Sequence, residues 1–211
     1  MSASAKICGL KTPETIVAAV GGGAAYIGFN FYPRSPRSVT PEDAARLAAK
    51  VPPSVSTVAL VVDADDALID RIAEALAPDI LQLHGGETPE RVAQIRARTG
   101  RQVMKALAIA TPDDIVRART YESSADLLMF DAKPPPGGLP GGNGLAFDWR
   151  LLKDATWTRP WLLAGGLTPA NVSEAIRATG ATRVDVSSGV EDSPGVKSPE
   201  KIRQFLAAAG R

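Results

Sequence analysis

Three side chains able to move a proton stand where apolar runs stop. Cys8 ends the run that begins at Lys6, His84 ends Ile80-Leu81-Gln82-Leu83, and Asp131 ends Leu127-Leu128-Met129-Phe130. Asn30, Asp63, Lys105, Asp185 and Ser187 stand at or near the ends of further runs of the same kind. If those runs are parallel strands of one sheet, all of these groups face one mouth. A thiol base, a carboxyl acid and an imidazole are then within reach of one small molecule. Each group also has a plain structural reading. A lone cysteine in an apolar strand is usually a small buried hydrophobe, an aspartate can cap a turn, and a single histidine can be a hydrogen-bonding neighbour of the working groups. Strand-end position argues for chemistry at Cys8 and Asp131, since a carboxylate closing a buried strand costs energy unless it is partnered.

A different signal ends the last two apolar runs. Ala164-Gly165-Gly166-Leu167-Thr168 leads into a helical pattern opening near Pro169, and Val186-Ser187-Ser188-Gly189-Val190 follows the final run. Glycines let backbone N–H groups approach an anion closely, and a helix amino terminus adds a favourable dipole. Gly165, Gly166, Ser188 and Gly189 are therefore the expected phosphate-binding residues.

The elements that must hold these groups alternate along the whole chain. Strand-like runs cover 5–10, 26–31, 56–62, 80–84, 102–109, 127–131, 161–164 and 183–186. Helical patterns lie between them, the clearest at 41–50, 67–76, 89–98, 169–179 and 199–209, where apolar residues recur at three or four. Six helices open with a hydroxyl residue and then proline: Thr12-Pro13, Thr40-Pro41, Thr88-Pro89, Thr111-Pro112, Thr168-Pro169 and Ser198-Pro199. Each fits an N-cap followed by proline at the first helical position. Eight strand-helix units predict an α/β fold of the closed (β/α)8 TIM-barrel type, a single domain over 1–211, with chemistry at the carboxyl ends of the strands. The segment 133–144, KPPPGGLPGGNG, is too rich in Pro and Gly for helix or strand and reads as a loop, either a lid over the mouth or a slack surface connection.

Composition narrows the partners. Hydrophobic residues make up 45% of the chain and aromatics 5%, so Val, Ile, Leu and Ala must fill the core. With 24 Lys plus Arg against 23 Asp plus Glu there is no overall field for nucleic acid or an anionic membrane, and any anion site is local. The single cysteine excludes an internal disulfide and fits a reducing compartment. Residues 1–5 show no basic, apolar leader pattern, so the expected location is the cytoplasm.

Six segments in order resemble phosphoribosylanthranilate isomerase of tryptophan biosynthesis. They are Lys6-Ile7-Cys8-Gly9; Tyr26-Ile27-Gly28-Phe29 with Phe31-Tyr32-Pro33-Arg34-Ser35-Pro36-Arg37; Leu81-Gln82-Leu83-His84-Gly85; Asp131 before the Gly-rich loop that reaches Phe147-Asp148-Trp149; Ala164-Gly165-Gly166-Leu167; and Asp185-Val186-Ser187-Ser188-Gly189-Val190-Glu191. The resemblance implies an Amadori rearrangement of N-(5-phospho-β-D-ribosyl)anthranilate to 1-(2-carboxyphenylamino)-1-deoxy-D-ribulose 5-phosphate, in a monomer or homodimer with neither metal nor organic cofactor. It assigns the acid to Asp131 and the base to Cys8. To donate near neutral pH, Asp131 must hold a proton, whereas Cys8 must lose one, which a positive neighbour favours. Lys6, two residues away, points to the same side of its strand. Arg37 is expected to grip the anthranilate carboxylate with its planar fork. His84 and Asp185 are expected to contact substrate, while Glu191 either orients substrate or ties down a loop.

Other phosphosugar barrels fit less well. An epimerase would need metal-binding histidines on several strands, and the chain has one His. A histidine-pathway isomerase would use a carboxylate where Cys8 stands. A barrel that binds a phosphosugar without turning it over remains a third reading, against which Cys8 and Asp131 argue.

Overall fold

The computed structural model describes residues 2–133, 141–142, 144, 147–153 and 155–210. Eight parallel strands pair in chain order and close: β1 (Ser4–Cys8), β2 (Tyr26–Asn30), β3 (Ser56–Val61), β4 (Ile80–Leu83), β5 (Gln102–Ile109), β6 (Leu127–Ala132), β7 (Trp161–Leu163) and β8 (Arg183–Val186), with β8 returning to β1. Helices wrap the outside: α1 (Pro13–Gly21), α2 (Pro41–Ala48), α3 (Asp66–Ala75), α4 (Pro89–Thr99), α5 (Pro112–Arg119), α6 (Arg150–Lys153), α7 (Val172–Thr179) and α8 (Pro199–Ala209). The barrel read from the chain is the barrel found. Most of the 133–144 loop lies outside the described residues. Among those described, no helix is long and apolar enough to cross a membrane.

The period of two along each strand divides the side chains between two layers. Val58, Ile80, Met104, Ala106, Leu127, Met129, Leu162 and Ala164 fill the interior. Their strand neighbours, among them Val103, Leu107, Leu128, Phe130 and Val184, face the helices and pack with Ile16, Ile72 and Phe205. Above the inner apolar layer the inward positions turn polar, as Lys6, Gln82, Asp131 and Asp185 are all buried.

Helix starts follow the hydroxyl-proline pattern at five of the six places. Thr12, Thr40, Thr88 and Ser198 each accept the N–H three residues on, and the Asp114 carboxylate reaches back to the Thr111 N–H at 3.0 Å. Thr168-Pro169 departs from the expectation. Asn171 Oδ1 accepts the Thr168 N–H at 2.7 Å, and its Nδ2 donates to the Gly166 carbonyl at 3.0 Å. The carboxamide closes a turn across 168–171, so α7 begins only at Val172 and no helix starts directly behind the β7 glycines. After β8 comes an element not read from the chain. A 3₁₀ turn (Ser188–Val190) leads into an antiparallel hairpin of β9 (Glu191–Ser193) and β10 (Val196–Lys197).

Asn171→Ala should cost about 1–2 kcal/mol, from the loss of a side chain that satisfies two backbone groups of the turn before α7. Thr168→Val should cost much less, and urea unfolding of both variants compares them; equal losses would contradict this account of the α7 start.

Candidate active site

The mouth is built on an ion pair at its floor. Lys6 of β1 and Asp185 of β8 are register partners, and Lys6 Nζ lies 2.8 Å from Asp185 Oδ1 with no part of Lys6 exposed. Burial opposes the charge on Lys6, but Asp185 and then Cys8 outweigh it and hold the ammonium above the ordinary lysine range. Cys8 is the next inward residue of β1, beside Gly28 of β2. A Cβ added at Gly28 would lie 3.0 Å from Lys6 Nζ and 3.2 Å from Cys8 Sγ. Ammonium and thiol thus converge on the space that the missing side chain leaves.

A second pair forms on β4 and β6. His84 Nε2 is 3.2 Å from Asp131 Oδ2, while Asp131 Oδ1 accepts the Ala132 N–H at 2.8 Å. Gly141 lies over this pair, since a Cβ there would meet His84 Cε1 at 2.8 Å and Asp131 Oδ2 at 3.1 Å. Its φ of +70° also suits glycine. Cys8, Asp131, His84, Arg37, Asn30 and Asp185 line one cavity. With Gly141 and Gly142 across it, about 30 Å³ of free space is left.

Arg37 is already engaged. Its Nε and Nη2 donate to Glu191 at 2.7 and 2.8 Å, and Glu191 Oε1 also accepts Lys197 Nζ at 2.7 Å. Glu191 therefore ties down the arginine and the hairpin, and a carboxylate ligand would have to use the other edge of the fork. Burial opposes the charge on Glu191, but Arg37 and Lys197 pull its carboxyl down to about 2. For Lys197 burial wins, and its ammonium sits below the ordinary lysine range despite Glu191.

The loops after β7 and β8 line an adjoining cleft through Gly165, Leu167, Ser187 and Ser188, which shares Asp131 and Asp185 with the cavity. Gly165 has φ +84°, and a Cβ there would come within 2.7 Å of the Ala132 nitrogen. Gly166 and Gly189 do not line the cleft. Gly189 instead packs on the Leu167 carbonyl, leaving no room for a side chain, and so holds the two loops together.

Two groups expected at the mouth face elsewhere. Lys105 is mid-strand, between the inward Met104 and Ala106, so its side chain points out of the barrel. It pairs with Glu87 at 2.7 Å, and although burial opposes the charge on Glu87, Lys105 holds that carboxyl below its usual range. Asp63, with φ +47°, accepts the Gly86 N–H at 2.7 Å and clamps the loops after β3 and β4. Conversely, Gln82 and Gly28 were not read as site residues. The signals were present: Gln82 shares the inward side of β4 with His84 at a spacing of two, and Gly28 is a glycine within an apolar strand. Among the described residues no group of three His, Cys, Asp or Glu side chains is arranged to hold a metal ion.

An eight-stranded barrel with a thiol, a carboxyl and an imidazole at the carboxyl ends of its strands defines a (β/α)8 enzyme of the acid/base class. Comparison with known proteins narrows the class. The profile of the family described as N-(5'phosphoribosyl)anthranilate (PRA) isomerase matches residues 5–208. The chain is 58% identical over 214 residues to N-(5'-phosphoribosyl)anthranilate isomerase of Parvibaculum lavamentivorans, covering 100% of both. It is 57% identical over 210 residues to that of Paracoccus denitrificans, covering 99% of this chain and 98% of the relative. The crystal structure of phosphoribosyl anthranilate isomerase from Thermotoga maritima superposes with a TM-score of 0.87 at 36% identity, covering 98% of each chain. The chain belongs to the N-(5'-phosphoribosyl)anthranilate isomerase family, isomerases of tryptophan biosynthesis.

A carboxyl held at about 2 adds stability that is present above its ordinary value near 4.5 and lost as pH falls through that window. Replacing Glu191 by Gln should cost on the order of 3 kcal/mol near neutral pH. The gap to wild type should shrink between about pH 4.5 and 2. A gap independent of pH in urea titrations across that window would show that Glu191 is not the linked group.

Proposed function

We propose that Cys8 is the base and Asp131 the acid with which this isomerase converts N-(5-phospho-β-D-ribosyl)anthranilate into 1-(2-carboxyphenylamino)-1-deoxy-D-ribulose 5-phosphate. The observation that carries the reading is that both groups line one cavity, Cys8 near the Lys6 ammonium and Asp131 against His84. Asp131 gives its proton to the furanose ring oxygen, the ring opens, and the anomeric carbon becomes a protonated imine. Cys8 then takes the proton from C2 of the sugar. The electron pair of that bond flows toward the imine nitrogen and forms the enolamine, which gains a proton at C1 and loses the one on its C2 hydroxyl to become the ketone, so that the proton held by Cys8 is given up and the one lost by Asp131 is restored. A thiol acts as a base only as thiolate, and the Lys6 ammonium is the positive neighbour that form needs.

The rest of the substrate follows from the geometry around these two groups. Its phosphate would lie in the cleft between the loops bearing Gly165 and Ser188, against backbone that glycine lets come close. Its anthranilate carboxylate would meet the edge of Arg37 that Glu191 leaves and that Gly142 now covers. In support, a solved relative is phosphoribosyl anthranilate isomerase in complex with reduced 1-(o-carboxyphenylamino)-1-deoxyribulose 5-phosphate, with a TM-score of 0.84 and 34% identity over 98% of each chain. A ligand of this size needs a pocket of roughly 300 Å³ or more, so Gly141 and Gly142 must move off the cavity to admit it. One protomer supplies every group named, so the reading holds for a monomer or a homodimer.

Turnover is followed by the loss of substrate anthranilate fluorescence. Cys8→Ala and Asp131→Asn should each lower kcat by about 10²–10⁴-fold, the usual contribution of a general acid or base. Near wild-type turnover in either variant would remove that residue from its role. Arg37→Ala should instead raise KM by roughly 10–100-fold, the worth of charged hydrogen bonds to a carboxylate. An unchanged KM would place the carboxylate elsewhere.

A further inference from the structure

Among the described residues Gln82 is the one fully buried carboxamide of the barrel interior, and the acid/base chemistry above does not use it. Its residue has no exposed surface. Its Nε2 lies 3.0 Å from His84 Nδ1 and 3.4 Å from Met129 Sδ, while Oε1 is buried and has no partner among the described residues. Both atoms facing the NH₂ can accept a hydrogen bond. Turning the amide over would set oxygen against a thioether sulfur and deprive the NH₂ of both contacts. The thioether, which accepts but cannot donate, favours this orientation, and an NH₂ that donates to His84 Nδ1 leaves that nitrogen without a proton. In neutral His84 the proton is then on Nε2, the atom 3.2 Å from Asp131 Oδ2.

We propose that Gln82 is a positioning residue that fixes His84 in its Nε2–H tautomer, so that His84 donates to Asp131 and stabilises the carboxylate left when Asp131 protonates the substrate. The inference rests on the reading of Asp131 as the acid. A hydrogen bond from N–H is stronger to a carboxylate than to a carboxylic acid, so it favours the proton-transferred state over the ground state. Oδ1 is served in the same way by the Ala132 N–H. Each oxygen of the carboxylate that forms thus has a donor in place. With the opposite tautomer, a lone pair on Nε2 would face that carboxylate and oppose its formation.

His84 is the only histidine, so ¹⁵N-histidine labelling of the whole protein yields one imidazole in a two-bond ¹H–¹⁵N spectrum. At neutral pH the wild type should show a protonated Nε2 and a bare Nδ1. Gln82→Met, similar in size but unable to donate, should give a mixture of tautomers, and Gln82→Glu, which presents an acceptor, should move a proton onto Nδ1. Both should lower kcat by roughly tenfold, with KM within about twofold of wild type, as for the loss of an interaction made in the transition state. A wild-type ring that carries its proton on Nδ1, or on both nitrogens, overturns the proposal without any variant. So does a Gln82→Met enzyme with wild-type tautomer and kcat. If instead Asp131→Asn keeps its turnover while the tautomer is as stated, the acid assignment has failed and the effect of Gln82 on His84 stands.

Discussion

The ammonium of Lys6, sealed inside the barrel against Asp185, is the constraint on which the mouth depends. A buried charge is tolerated only with a close partner, and removing that partner typically costs about 3–5 kcal/mol. Here the partners belong to the first and last strands, so the pair that neutralises the charge also draws β8 to β1 where the sheet closes. The same ammonium faces the thiol of Cys8, with Gly28 leaving the space for both. Closing the barrel and supplying a positive neighbour to the thiol are one interaction. That coupling explains why a polar layer stands above an otherwise aliphatic interior.

The remaining groups follow one pattern: each side chain that would touch substrate is held by another that would not. Glu191 grips one edge of the Arg37 fork and is itself held by Lys197 from β10, so a short hairpin after β8 sets the aim of an arginine in the loop after β2. His84 sits against Asp131, and Gln82 sits against His84. Such arrangements spend their organising free energy during folding, so little reorganisation remains for the reaction itself. The glycines at 141 and 142 belong to the same design. Their bare backbone approaches His84, Asp131 and Arg37 more closely than any side chain would allow.

Much of this was legible in the chain. Strands and helices came from periodicity and from hydroxyl-proline starts, and the observed strand bounds lie within two residues of those expected. Cys8, His84, Asp131 and Asp185 were found because a polar residue ended an apolar run. The same rule failed for Lys105 and Asp63. β5 continues past Lys105 and puts it on the outward parity, and the left-handed turn at Asp63 carries that carboxylate to the neighbouring loop. Thr168-Pro169 has the form of a helix start, yet a local turn closed by the Asn171 side chain delays α7. The grip of Glu191 on Arg37 was hidden for a different reason, because residues 37 and 191 meet only when the barrel closes, whereas the spacing of two that sets Gln82 beside His84 stood in the chain.

The division of labour between acid and base is tested most directly by trapping the species that each variant accumulates. Cys8→Ala and Asp131→Asn are mixed with substrate and quenched with borodeuteride, which reduces an open-chain imine to a stable amine deuterated at C1, whereas the ketone product takes its deuterium at C2. If Asp131 opens the ring and Cys8 acts afterwards, Cys8→Ala should yield the reduced open-chain amine above the enzyme-free level, and Asp131→Asn should not. Equal trapping in both variants, or trapping only in Asp131→Asn, would contradict that order and the roles that depend on it.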